Sequence, residues 1–115
     1  MSQSSCEACR ADAHALSDKE IQDLLPQIPS WKISEEEGIK SLICSFAFLS
    51  YQECIIFTNK VALLAEQEDH HPEIILEWGK VTVMWWSHKI KGLHMNDFIC
   101  ASKTDELSKK ITEEV

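Results

Sequence analysis

Pro72, set directly after His70 and His71, divides this chain and limits how its middle can fold. Proline disfavours the α conformation for the residue before it, here His71. The histidine pair therefore cannot lie deep inside a helix and marks the place where a helix ends and the chain turns. Upstream, Tyr51, Cys54, Ile55, Thr58, Val61, Ala62 and Ala65 recur at three- and four-residue spacing. That spacing predicts an amphipathic helix from Ser50 or Tyr51 to about Glu68. A turn at its end lets both imidazoles point into one cleft instead of diverging around a helix.

The rest of the chain is built around this turn. Ser17-Asp18-Lys19-Glu20 has the spacing of a capping box and predicts a short helix with Ile21, Leu24 and Leu25 inward, closed by Pro26 and Pro29. Trp31 begins an extended segment, and Glu35-Glu36-Glu37-Gly38 reads as a hairpin turn. Leu42, Cys44, Phe46 and Phe48 then alternate with smaller residues, the period-2 pattern of a strand. After Pro72, the runs 74–78 and 81–86 flank Gly79-Lys80 and predict a second hairpin. A last helix is expected from about His94 to Glu113, with Met95, Phe98, Ile99 and Ser102 inward. The order is helix, strand, strand, helix, strand, strand, helix. This is an α+β domain with a four-stranded, largely antiparallel sheet, three helices on one face and the other face partly bare.

At 115 residues the chain is expected to be one domain over residues 16–115, behind a polar, mobile lead at 1–15. A net charge of -8 repels phosphate backbones and argues against nucleic-acid binding. No apolar stretch is long enough for a membrane span, and residues 1–20 lack the basic start and apolar run of a secretory signal. Five cysteines without regular spacing fit reduced thiols and a cytoplasmic location better than a disulfide framework. Within the lead, Cys6-Glu7-Ala8-Cys9 with His14 nearby has the form of half a zinc site, but a matching second half is missing.

The histidines admit three readings. In the first, imidazoles act as general acid and base, since imidazole gives and takes protons near neutral pH. Glu66, one helical turn before His70, would orient an imidazole, and Asp97 would do so for His88 or simply occupy the first turn of the last helix. In the second, His70, His71 and His88 hold zinc, although adjacent histidines are an unusual ligand pair. In the third they are half-exposed turn residues without a special role. The tryptophans divide in the same way, between packing and a wall for a flat heterocycle. Trp85 and Trp86 point to opposite faces of a strand, so at most one of them faces the core.

Taken together, Glu66-x3-His70-His71-Pro72-x5-Trp78-x9-His88-x8-Asp97 resembles the signature of the pterin-4a-carbinolamine dehydratase family. The resemblance runs from about Leu16 to Lys110, including the Trp31 region. The lead 6–13 and the runs 78–83 and 85–88 resemble bacterial members coupled to phenylalanine hydroxylase. The resemblance implies dehydration of 4a-hydroxytetrahydropterin to quinonoid dihydropterin and water, in support of cofactor recycling. It implies no metal and no cofactor, the pterin being the substrate. It makes His70 and His88 the acid–base pair, with His71 binding the pterin and sharing in proton transfer. Glu66 and Asp97 become supporting carboxylates. Backbone around Asp69–His71 and around Trp86, Ser87 and His88 would hydrogen-bond the ring edge, and Trp31 would close one side.

The family also implies a homo-oligomer, dimer or tetramer, with phenylalanine hydroxylase as a possible partner. Animal relatives serve as dimerisation cofactors of a transcription factor, so a non-catalytic binding or regulatory module is the alternative. Two departures stand out. Ser87 replaces a common threonine and keeps its hydroxyl. His94 stands where relatives often carry Ser or Thr, which is expected to weaken the helix cap by about 1 kcal/mol.

Overall fold

The Ser17 hydroxyl accepts from Glu20 N–H while the Glu20 carboxylate accepts from Ser17 N–H, the reciprocal cap expected from the sequence. It starts α1 (Asp18–Leu24) in the computed structural model, which describes residues 15–114, with side chains as far as Ile111. The expected lead therefore lies outside the described residues, Ala15 excepted. Pro26 does not break the coil. It sits in the first turn of a 3-10 segment, Leu25–Gln27, where its missing N–H is not needed.

Two hairpins form the sheet. β1 (Lys32–Glu36) and β2 (Ile39–Ala47) join through Glu37 and Gly38, whose φ values of 54° and 81° suit a two-residue turn of type I′. β3 (Glu73–Glu77) and β4 (Lys80–Trp85) join through Trp78 and Gly79. All neighbours are antiparallel in the order β1-β2-β4-β3, so the two hairpins meet along β2 and β4. The register places Leu42 opposite Trp85, Cys44 opposite Val83 and Phe46 opposite Val81. These form the face covered by α2 (Tyr51–Glu68) and α3 (Met95–Glu114). Ser45, Thr82, Ile43 and Met84 belong to the other face, where the Ser45 and Thr82 hydroxyls bond across strands at 3.0 Å. The expected α+β architecture is the one found.

The helical stripes differ from expectation. Cys54, Val61 and Ala65 of α2 are buried, but Phe57 and Leu64 join them, while Tyr51, Ile55 and Ala62 are exposed. The cause is local. Runs such as Ile55-Ile56-Phe57 and Ala62-Leu63-Leu64 put apolar residues on several faces, and the sheet selects the face that buries the largest ring. On α3, Phe98 and Ile99 are buried as expected, but Met95 is 38% exposed and Ser102 only half-buried. Ala101 and Thr104 take the inward places instead. No helix among the described residues is long and apolar enough to cross a membrane.

Candidate active site

The site begins where α2 stops. Asp69 adopts a left-handed conformation (φ 49°), and its N–H and that of His70 return to carbonyls of the last turn. This is a helix C-terminal cap, so the helix ends one residue before the histidine pair and Pro72 continues the chain away from it. Beyond the cap the two imidazoles part, one buried and one exposed. The pair therefore does not share one direction, contrary to the single cleft expected from the sequence. His70 turns inward and is 5% exposed, whereas His71 lies at the surface.

Each imidazole has its own oxygen partner. His70 Nε2 meets Asp97 Oδ1 at 2.6 Å, His71 Nε2 meets Glu66 Oε1 at 3.0 Å, and His88 Nε2 donates to the His71 carbonyl at 2.8 Å. Glu66 does orient an imidazole and Asp97 does occupy the first turn of α3, but Asp97 does not serve His88. Glu66 serves His71 because the left-handed turn folds that residue back toward the helix. Asp97 serves the buried His70 and not His88. The His88 bond joins the loop after β4 to the turn after α2. Trp86 stacks on His88, with centroids 4.4 Å apart and planes inclined by 25°. Trp85, on the opposite side of the strand, is fully buried and stacks on His70.

Asp97 is the most connected member. Its Oδ1 accepts from His70 and its Oδ2 accepts from the Ser87 hydroxyl (2.7 Å) and from His94 N–H (2.9 Å), and the residue is wholly buried. His94 was expected to be a poor cap. Instead its Nδ1 accepts from Asn96 N–H at 3.2 Å, while the Asp97 carboxylate reaches back to His94 N–H. Imidazole here plays the part usually taken by a Ser or Thr hydroxyl. The spacing His94-x-x-Asp97 is the sequence signal of this cap, with imidazole in place of hydroxyl.

This chain matches the family described as pterin 4 alpha carbinolamine dehydratase over residues 14–107. It belongs to that family. A relative in Saccharophagus degradans is 53% identical over 105 residues, covering 91% of this chain and 93% of its own. One in Nitrosococcus oceani is 55% identical over 104 residues, covering 90% and 92%. Both carry the provisional name pterin-4-alpha-carbinolamine dehydratase. A crystal structure of a transcriptional coactivator/pterin dehydratase from Brucella melitensis superposes with a TM-score of 0.75 at 26% identity, over 83% of this chain and 99% of that one. A pterin dehydratase-like RuBisCO assembly factor of the alpha-carboxysome shares the fold, with a TM-score of 0.59 at 24% identity over 69% and 89%.

Not every residue of the dehydratase signature comes to the imidazoles. Trp78 is 76% exposed in the β3–β4 turn, at the far end of β3 from Pro72 and roughly 20 Å away along the strand. Trp31 is buried, donates Nε1 to Asp105 at 2.9 Å and meets Phe46 edge-on. Asp105 lies eight residues beyond Asp97, about 12 Å along α3, which makes Trp31 a wall of the core and not of the histidine site. Of the backbone groups expected at the ring edge, the N–H groups of Asp69, His70 and Ser87 and the His71 carbonyl already bond within the chain. Among the described residues no three of His, Cys, Asp and Glu are grouped to hold a metal ion. Cys6 and Cys9 lie outside the described residues.

A cavity of about 470 Å³ opens beside Cys44, Phe46, Phe48 and Asp105, away from the imidazoles. Its groups are poor reagents. Burial pushes the Cys44 thiol up to about 11, so little thiolate exists at neutral pH. Burial also lifts the Asp105 carboxyl, opposed by the Trp31 hydrogen bond and the Lys109 charge. His94→Ala is expected to cost about 1 kcal/mol in urea unfolding, and His94→Ser to restore most of it. Equal stability of the Ala, Ser and wild-type proteins would show that the imidazole does not cap α3.

Proposed function

We propose that this chain removes water from a 4a-hydroxytetrahydropterin by imidazole acid–base chemistry, giving quinonoid dihydropterin. The observation that carries the reading is that three imidazoles use the same ring nitrogen toward the protein. Each commits Nε2 to a protein oxygen, which fixes the proton there in the neutral ring and leaves Nδ1 for a substrate.

The reaction asks for little else. The C4a–O bond breaks and the hydroxyl leaves with a proton supplied by one group. The N5–H bond gives its proton to a second group, and its electron pair forms the C4a=N5 double bond. One imidazolium and one neutral imidazole meet this need, and each transfer is worth on the order of 10²–10⁴-fold. His70 and His88 are the pair, coming from separate segments that the His88–His71 bond holds together. Asp97 and Glu66 accept hydrogen bonds from His70 and His71 and orient the two rings. His71, at the surface, binds and positions the pterin and shares in proton transfer. The flat face of Trp86 beside His88 suits a heterocycle. No resident metal or cofactor has a step to perform in this scheme. By resemblance to bacterial members, the product serves cofactor recycling for phenylalanine hydroxylase.

The sheet also supports self-association. β1 pairs with β2 only as far as Ile43, so the outer edge of Cys44–Ala47 has no strand beside it among the described residues. Such an edge invites pairing with a second copy. Sedimentation is expected to give a dimer or tetramer, and a concentration-independent monomer would overturn this.

His70→Ala and His88→Ala are each expected to slow decay of the 4a-carbinolamine absorbance by about 10²–10⁴-fold with the circular dichroism spectrum unchanged. The double variant should lose less than the product of the two effects, because the groups act as a unit. Full activity in both single variants and in the double variant would sink the mechanism.

A further inference from the structure

The His70–Asp97 hydrogen bond fixes one edge of the imidazole but not its plane. The ring can still tilt about the line from Nε2 to Oδ1, and every tilt moves Nδ1. A second contact removes that freedom. The Trp85 indole lies parallel to His70, with 3° between the planes and 5.6 Å between centroids, an offset stack. The indole is itself anchored. Its Nε1 donates to Thr104 Oγ1 at 3.1 Å, and that hydroxyl donates to the Cys100 carbonyl at 2.7 Å.

We propose that Trp85 and Thr104 are positioning residues for His70, setting the plane of its imidazole and hence the direction of Nδ1. The importance of that direction rests on the proton-transfer role given to His70 above. One helix then specifies the ring twice. Asp97 of α3 holds its edge, and Thr104, two turns further along α3, holds its face through the indole. Both Trp85 and Thr104 are at 0% exposure, so neither touches a substrate that arrives from solvent. Any effect they have on turnover must pass through His70. The Thr104 hydroxyl is both donor and acceptor, with both roles used, and valine of nearly the same shape supplies neither.

The test is Thr104→Val against Thr104→Ser in the full chain, read by steady-state kinetics and by the ring nitrogen resonances of His70. Thr104→Val is expected to lower kcat about tenfold with KM within about twofold, since small displacements of a reacting group cost rate and not binding. The His70 resonances should move in the same variant. Thr104→Ser should return both readouts to near wild type. Val61→Ala, in the core on α2, controls for stability by lowering Tm without changing either readout. If Thr104→Val lowers Tm but leaves kcat and the His70 resonances where they were, Thr104 is a structural residue and the proposal fails. Should Thr104→Val not fold, Trp85→Phe takes its place, since phenyl can still stack but has no anchor. If the wild type shows no dehydration, the functional reading falls, and the His70 resonances alone decide: movement upholds positioning, and no movement overturns it.

Discussion

A buried carboxylate is costly unless its oxygens are satisfied, and Asp97 is satisfied by donors from three different parts of the chain. His70 follows α2, Ser87 follows β4, and His94 precedes α3. Asp97 also stands in the first turn of α3, where the aligned peptide dipoles favour negative charge. One side chain thus joins a helix end, a strand end and a helix start. Removing it would leave several buried polar groups unpaired at once. The arrangement of the imidazoles depends on this joint more than on any local property of the histidine pair.

The joint also explains why neighbouring histidines differ. Past the cap of α2, His70 turns toward Asp97 and Trp85, and His71 toward Glu66 and solvent. The buried ring is held by a carboxylate and an indole and has little freedom. The surface ring has a weaker, solvent-screened partner and can adjust to a ligand. His88 bridges the two regions by bonding to the carbonyl of His71. On the proposed mechanism the rigid ring and the bridging ring transfer the two protons, and the surface ring binds the pterin.

Much of this was legible in the sequence where a local rule acts alone. The Ser17 capping box, the Glu37-Gly38 turn and the end of α2 before His70 follow from short-range sterics and hydrogen bonding. The opposite facing of Trp85 and Trp86 follows from the strand period. What was not legible depends on distant packing. Glu66 is spaced to meet His70 on a continuing helix, and only the left-handed Asp69 diverts it to His71. Trp31 carries no mark separating a core role from a site role, and its choice of Asp105 depends on where α3 crosses the sheet. Thr104 gave no signal at all, since a threonine within a helix has many uses.

On the proposed mechanism, Asp97 holds His70 ready for proton transfer. Asp97→Asn tests it most directly, because the amide keeps the shape but removes the charge and one acceptor. Transient decay of the 4a-carbinolamine should be followed with wild-type and Asp97→Asn protein of matched fold. A fall in kcat of about 10²-fold or more is expected, with a folded protein and little change in KM. Wild-type turnover by a folded Asp97→Asn protein would contradict it.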